Sequence, residues 1–378
     1  MATEVPDANL TMLSLVKEDG ELDLSLARLP MPEPREHEVV VKVLAAPINP
    51  SDLFLLLAGA DLGSAKTSKR DGLPLVLAPI PAAAMRGLGG RVGRAMPVGN
   101  EGCGVVVRAG TSAEAQALLG KPVAMLGGGM YAEYRCVPAK ICMRLPEGTD
   151  PRHGASCFVN PLTALGFIET VKRTGHKAIV HTAAASSLGQ MLNRICIADG
   201  IPLVNIVRKN EQAALLKRQG AKHVLVSTSP NFVKELRSAL VETGATVAFD
   251  AIGGGDLGSR VMGMMEEIAV EGMPEYNRYG SDKFKQLYIY GALDMSPTAF
   301  IRSRLGFRWS ISGWLLTYFM LDAGEEVVRR MHARVAAELT TTFASSYSHE
   351  ISLEQALELQ TIAAYDAKQT GDKYLIIP

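Results

Sequence analysis

The 378-residue chain carries no net charge, with 39 Lys and Arg against 39 Asp and Glu. No basic block breaks that balance, so nothing draws the chain electrostatically to nucleic acid or to an anionic membrane, and the expected partners are small molecules. Long apolar runs are also missing: no segment reaches the roughly 18 residues of a membrane span, and SGWLLTYFML is too short for one. The start, MATEVPDANL, has neither the basic nor the apolar region of a secretory signal. Cysteines are few and odd in number (Cys103, Cys136, Cys142, Cys157, Cys196), without CxxC spacing. Such usage suits reduced thiols in a cytoplasm rather than a disulfide framework. The seven scattered histidines form no pair at metal-ligand spacing, and neither repeats nor low-complexity tracts occur. What is present is an ordinary globular balance, 47% hydrophobic and 21% charged residues, in a chain long enough for two domains.

The rhythm of the sequence changes once and changes back. From Leu10 to about Tyr134, short apolar or alternating runs broken by Gly and Pro (HEVVVKVLAAPI, GNEGCGVVVRAG, KPVAML, YAEYRCV) predict a β-rich domain. After the helix PLTALGFIETVKRTG, strands alternate with helices of roughly 10 to 15 residues: KAIVHT, SLGQMLNRICIADG, PLVNIVR, NEQAALLKRQGA, KHVLVST, PNFVKELRSALVETG, TVAFDAIGGG. The helix DLGSRVMGMMEEIA and the strands KQLYIYGAL and RWSISGWLL extend this to a six-stranded parallel sheet. The last sixty residues add a helix and end in a strand after a glycine turn, packing back on the first domain. The expected fold class is α/β, a Rossmann-type doubly wound parallel sheet inserted in a β-rich domain. The expected division is 1–158 completed by 319–378, with 159–318 as the inserted domain.

Between KAIV and a helix lies HTAAASSLGQML, whose setting is that of a phosphate-binding turn. Against GxGxxG it holds Ala184, Ser186 and Gly189. Gly189 retains the position that lets helix and strand pack closely; Ala184 and Ser186 are the smallest substitutes, and the Ser186 and Ser187 hydroxyls can donate to a phosphate. Taken alone, the loop fits a plain strand-to-helix connection equally well. The end of the next strand, NIVRKN, offers Arg208 and Lys209 where an NAD site needs an acid for the ribose 2′-OH. Two cations there suit a 2′-phosphate, so NADP(H) is the expected cofactor.

In order along the chain, INPSD, VGNEGCGVV, GGMYAEY, VNPLTAL, the AAASSLG loop, QGAKHVL, FDAIGGG and TGDKYLIIP resemble landmarks of the medium-chain dehydrogenase/reductase superfamily. The resemblance covers almost the whole chain and implies a GroES-like domain built from both chain ends, with a Rossmann domain between them. Zinc members carry a Cys at Asn49, a His at Asn100, a further Cys near Asn160 and a four-Cys lobe. Here amides replace thiolate and imidazole, and no catalytic or structural zinc is expected. The chain therefore looks like the zinc-free quinone oxidoreductases and 2-enoyl thioester reductases. That likeness implies hydride transfer from NADPH to a small electrophile: an enone, an enoyl thioester or a quinone. By position it places Asn49 near nicotinamide and substrate, Asn160 and Thr163 near the nicotinamide with Gly291, Ala292 and Leu293 beside it, Ser186, Ser187, Leu188 and Gly189 at the pyrophosphate, Arg208 and Lys209 at the 2′-phosphate, and Ala184 and Ile252 among the cofactor contacts. Asp250 and Glu101 are read as architectural braces.

The pattern breaks where the enoyl thioester reductases present a tyrosine shortly after NPSD. This chain reads LFLLLAGADLG, with Ala60 and Asp61 there. Tyr131 is the first candidate to replace that acid, followed by Tyr276 and Tyr279. Two insertions, 60–99 and 270–284, exceed the family norm; the first reads equally as a pocket wall or lid and as a stabilising hairpin or oligomer contact. The edge strand RWSISGWLLTYF is apolar enough to pair with a copy of itself, predicting a homodimer. Two other readings stay open: a non-catalytic NADPH-binding protein of this fold, and a zinc-type alcohol dehydrogenase.

Overall fold

A computed structural model describes residues 6–378, which form two compact units, the described residues up to Val159 with Arg334–Pro378, and Asn160–Ala333. In the first unit, β1 (Ala8–Val16) and β2 (Glu21–Pro30) pair antiparallel, followed by β3 (Glu38–Pro47) and a helix at Pro50–Leu57. Residues 60–99 then build structure of their own. β4 (Lys66–Arg70) and β5 (Leu73–Pro79) are joined by Asp71 and Gly72 at φ 52° and 78°, the two left-handed residues of a type I′ hairpin turn. β5 pairs with β2, Arg70 donates to Asp23 Oδ2 at 2.6 Å, and Leu73, Val76, Ala78 and Ile80 enter the core. With β6 (Ala95–Pro97) the sheet order becomes β4-β5-β2-β1-β6. The insertion is thus a stabilising hairpin of this unit.

The other sheet of the unit uses β7 (Glu101–Ala109), β8 (Pro122–Leu126), β9 (Tyr134–Pro138) and β10 (Cys142–Arg144). Its order begins β10-β8-β7-β3, and β9 also pairs with β3. Val39, Val40 and Val41 of β3 are completely buried, as a β-branched run between covered faces should be.

In the second unit, β11 (Ile179–His181), β12 (Leu203–Val207), β13 (His223–Val226), β14 (Val247–Asp250), β16 (Lys285–Ile289) and β18 (Trp309–Gly313) form a parallel sheet. The order β13-β12-β11-β14-β16-β18 reverses direction between β11 and β14. That is the doubly wound Rossmann arrangement, whose switch point opens a crevice at the carboxyl ends of the strands. Val180, Val204, Ile206, Ala248 and Leu287 pack from the sheet against Phe232, Leu236, Val261 and Met262. β15 (Gly253–Gly255) and β17 (Asp294–Thr298), absent from the expected elements, form a small parallel pair.

The insertion 270–284 is fastened by a buried ion pair. Glu266 accepts from the Ser281 backbone N–H at 2.8 Å and its hydroxyl at 2.6 Å, and pairs with the fully buried Lys285 ammonium. The unit continues to Ala333, so the expected division at 318/319 falls inside the helix Leu316–Ala323. That helix is held to the unit by Arg173, whose guanidinium donates to the carbonyls of Asp322 and Ala323 at 3.2 and 2.7 Å.

The chain then returns to the first unit. β19 (His349–Ile351) lies parallel to β20 (Tyr374–Ile376), and β20 pairs antiparallel with β3. Among the described residues, no helix is long and apolar enough to cross a membrane.

Candidate functional site

The glycine-poor loop is shaped by two unlike residues. Ala183 adopts φ 49°, a left-handed conformation that costs a non-glycine residue on the order of 1 kcal/mol. Gly189 is obligatory for a different reason: a Cβ there would lie 2.2 Å from the Ala184 carbonyl oxygen. Ser186 caps the helix Ser187–Asp199, its Oγ accepting from Gly189 N at 3.2 Å. Ala184 and Leu188 are buried, whereas Ser186 and Ser187 keep partial exposure at the first turn. The helix start thus presents backbone N–H groups and the positive end of its dipole, the requirement for an anion.

The expected cofactor residues after β12, β14 and β16 follow the carboxyl ends of those strands, as the loop after β11 does. Arg208 and Lys209 are exposed immediately after β12, and neither makes an ion pair among the described residues. Their backbone N–H groups donate to Gln212 Oε1 at 3.0 and 3.1 Å, fixing the turn while leaving both cationic heads available. After β14, the Ile252 N–H donates to Asp250 Oδ1 at 2.9 Å. After β16, Gly291 lies so close to Ala251 that a Cβ would be 2.5 Å from its carbonyl oxygen. Ala292 and Leu293 are exposed beyond it. Asn160 and Thr163 are buried three residues apart on one face of the helix Val159–Thr174.

Two contacts on this edge were not among the expected site residues. Thr182 Oγ1 donates to Asp250 Oδ1 at 2.6 Å and accepts from Ala251 N at 2.9 Å, tying the ends of β11 and β14 together. His181 Nε2 lies 2.7 Å from the Tyr290 hydroxyl, and complete burial pushes its pKa down to about 3. The imidazole is therefore neutral at physiological pH.

In the first unit, Asn49 precedes the helix Pro50–Leu57 and is buried. Its N–H donates to Asp52 Oδ2 at 2.8 Å, and its side-chain Nδ2 donates to Glu101 Oε1 at 2.8 Å. Glu101 Oε2 accepts from Phe158 N and Val159 N, each at 2.9 Å, while Asp52 Oδ1 accepts from Asn100 N at 2.7 Å. Burial raises both carboxyls, Asp52 to about 7. Asn100 Nδ2 donates to Ser51 Oγ at 3.2 Å. Asn49 therefore orders this cluster, and both acids act as braces.

Tyr131 is a correction to the sequence reading. It is wholly buried, its hydroxyl donates to the Pro47 carbonyl at 3.1 Å, and its ring fills the space a Cβ on Gly99 would need, 2.5 Å away. Burial and the neighbouring Asp52 carboxylate drive its pKa far up. The residue is a core brace, and its place in a turn motif gave no sign of this. Tyr276 and Tyr279 stand exposed on the 270–284 segment. At Asp61 the side chain caps a short turn, accepting from Gly63 N at 3.0 Å.

Comparison with known proteins agrees with this architecture. The alcohol dehydrogenase GroES-like domain model matches residues 35–147. The mitochondrial enoyl-[acyl-carrier-protein] reductase of Xenopus tropicalis is 31% identical over 231 residues, 58% of this chain and 57% of that protein. Its counterpart from Arabidopsis thaliana is 28% identical over 240 residues, 61% and 55% of the two chains. The aligned parts thus span little more than half of these relatives. Among solved structures, a Mesorhizobium loti protein assigned as an NADPH:quinone reductase is 26% identical, with a TM-score of 0.74 and full coverage of both chains. An enoyl thioester reductase from Candida tropicalis shares the fold at 18% identity, with a TM-score of 0.67 and coverage of 98% and 100%. These likenesses agree with the resemblance to the medium-chain dehydrogenase/reductase superfamily. The proteins it is similar to include quinone oxidoreductases and enoyl reductases.

Proposed function

We infer that the protein is an NADPH-dependent oxidoreductase reducing an activated alkene, an enone or enoyl thioester, or a quinone. The observation that carries this reading is the exposed pair Arg208 and Lys209, without an ion-pair partner among the described residues, at the end of β12 in the same sheet as a Ser186-capped helix start. The residues present fit the dinucleotide. Gly189 and Gly291 stand where an added Cβ would strike backbone carbonyls, so the loops after β11 and β16 lie close to their neighbours at the carboxyl edge of the sheet. The first turn of the helix Ser187–Asp199 takes the pyrophosphate through backbone N–H groups, and the two cations take the 2′-phosphate. Bound NADPH supplies the hydride. The protein's own part is to orient the electrophile and stabilise the oxyanion that forms, the contributions that lower such a barrier most.

β18 ends the six-stranded sheet with its outer edge unpaired among the described residues, which supports a homodimer formed along that edge. The test is twofold. NADPH raises the melting temperature more than NADH does, and NADPH is oxidised with at least one member of a panel of quinones, enones and enoyl thioesters. Equal shifts with the two cofactors overturn the cofactor. A larger NADPH shift with no oxidation across the panel favours the non-catalytic reading, which the missing tyrosine after NPSD motivates.

A further inference from the structure

The loop between β11 and the helix Ser187–Asp199 lacks most of the glycines that let backbone turn about a pyrophosphate, and the second unit holds its shape by other means. The Ala184 and Ala185 methyls are buried in a small apolar cluster with Val207 of β12 and with Ala213 and Leu216 of the helix Asn210–Arg218. Ala184 N donates to the Ile206 carbonyl at 3.1 Å. The peptide joining Ala185 and Ser186 is bonded at both ends: Ser186 N donates to the Ala183 carbonyl at 3.0 Å, and the Ala185 carbonyl accepts from Gln190 Nε2 at 3.0 Å. Gln190 Oε1 in turn accepts from Gln219 Nε2 at 2.7 Å. Gln219 closes the helix Asn210–Arg218, whose N-cap is Lys209. One carbonyl therefore orients both amides. Only an N–H can face the Ala185 oxygen, so Gln190 turns its own oxygen to Gln219, which must answer with its nitrogen. The Gln219 oxygen is then left buried without a hydrogen-bond partner among the described residues, so the chain of amides contributes less to folding than its two bonds suggest.

We propose that Gln190 and Gln219 are positioning residues for the cofactor's pyrophosphate, holding the Ala183–Ser186 backbone in its binding shape in place of the missing glycines. The inference rests on the cofactor reading above. An anion at this helix start is held by the first-turn N–H groups, which have no partner within a helix. Those groups keep their aim while the Ser186 cap is fixed, and Ser186 is fixed through the peptide that Gln190 anchors. A loop already in its binding shape loses less conformational freedom when the dinucleotide arrives, which adds affinity without a further contact. Neither glutamine has to touch the cofactor. The pyrophosphate is common to NADPH and NADH, so the effect is the same for both, unlike that of Arg208 and Lys209.

Titration calorimetry with NADPH and with NADH tests this in Gln190→Met and Gln219→Met, which keep the length of the side chain and remove its hydrogen bonds. Each variant is first matched to the wild-type circular dichroism spectrum without nucleotide. Gln190→Met should weaken both nucleotides by about 10-fold and Gln219→Met by about threefold, the range of one or two neutral hydrogen bonds. Because Gln219 acts through Gln190, the double variant should bind no more weakly than Gln190→Met alone. Wild-type affinity in folded Gln190→Met overturns the proposal and leaves the cofactor reading intact. A loss confined to NADPH, or losses that multiply in the double variant, overturn it equally. Failure of the wild-type protein to bind either nucleotide overturns both.

Discussion

The Asn49 side-chain amide donates to Glu101 Oε1 across 2.8 Å within the first unit, joining a residue expected at the substrate to one that braces two backbone N–H groups. Asn49→Asp would set a second carboxylate against Glu101. It should cost about 3 kcal/mol or more at neutral pH, because neither buried charge can then be matched. Asn49→Ala removes the amide that donates to Glu101 without adding a charge, and should cost about 1 to 3 kcal/mol. Urea unfolding of the two variants separates these values, and equal losses would mean the amide does not face a charged partner.

Gly189 is required by packing against Ala184, not by its backbone angles. Gly189→Ala should lose about 2 to 3 kcal/mol, since the added methyl meets a carbonyl oxygen that cannot move without dragging the loop. Gly313→Ala is the control, because nothing lies within 4 Å of its Cβ position. Its loss should stay below about 0.5 kcal/mol. Comparable denaturation midpoints for the two variants would contradict the contact.

Replacing Arg208 and Lys209 together by Ala should weaken NADPH binding by about 10- to 100-fold, the value of one or two charge-assisted hydrogen bonds. NADH affinity should change by less than about twofold, since NADH has no 2′-phosphate. Titration calorimetry with both nucleotides reads this directly. A parallel loss for NADH would show that the pair holds the loop and not the phosphate.

His181 makes the second unit acid-sensitive. Its folded pKa of about 3 lies below the ordinary histidine value of 6.5, so between those limits the unfolded chain binds more protons than the folded one. Stability from this group is present above about pH 6.5 and is lost as pH falls toward 3. His181→Gln keeps a partner for the Tyr290 hydroxyl without the titration. At pH 4.5 it should recover about 2 to 3 kcal/mol relative to its effect at pH 7.5. Acid unfolding followed by circular dichroism would show the same midpoint for both proteins if the imidazole were solvated.

The six parallel strands were legible because helix and strand periods alternate through most of the span between Pro161 and Gly313, and the residues that follow each strand mark the carboxyl edge. The strand ends were less so: β16 stops at Ile289 and β18 at Gly313, short of the apolar runs that predict them. The hairpin of β4 and β5 stood as one of several readings of residues 60–99, although Asp71-Gly72 is a strong turn signal, since Lys66–Arg70 is polar throughout and shows no alternation. Tyr131 was misplaced because a turn motif says nothing about which side chain the fold closes over. Lys373 stood in a recognised landmark, yet it meets Ser156 and Tyr347 only after the chain has returned to its first unit. The second boundary moved for a similar reason: Arg173 ties the helix Leu316–Ala323 to the preceding unit through backbone carbonyls, whose accepting capacity every sequence shares.

The pairing of β3 with β20 also has a meaning in time. A ribosome releases β3 before Asn160–Ala333 and β20 after it, so the edge of β3 that β20 takes up waits, unpaired, while the whole of that segment is made. That segment has its own core and can fold during the interval. The first unit is therefore completed last, and a chain truncated before Tyr374 would emerge with a finished nucleotide domain and an open strand edge prone to capture by another chain.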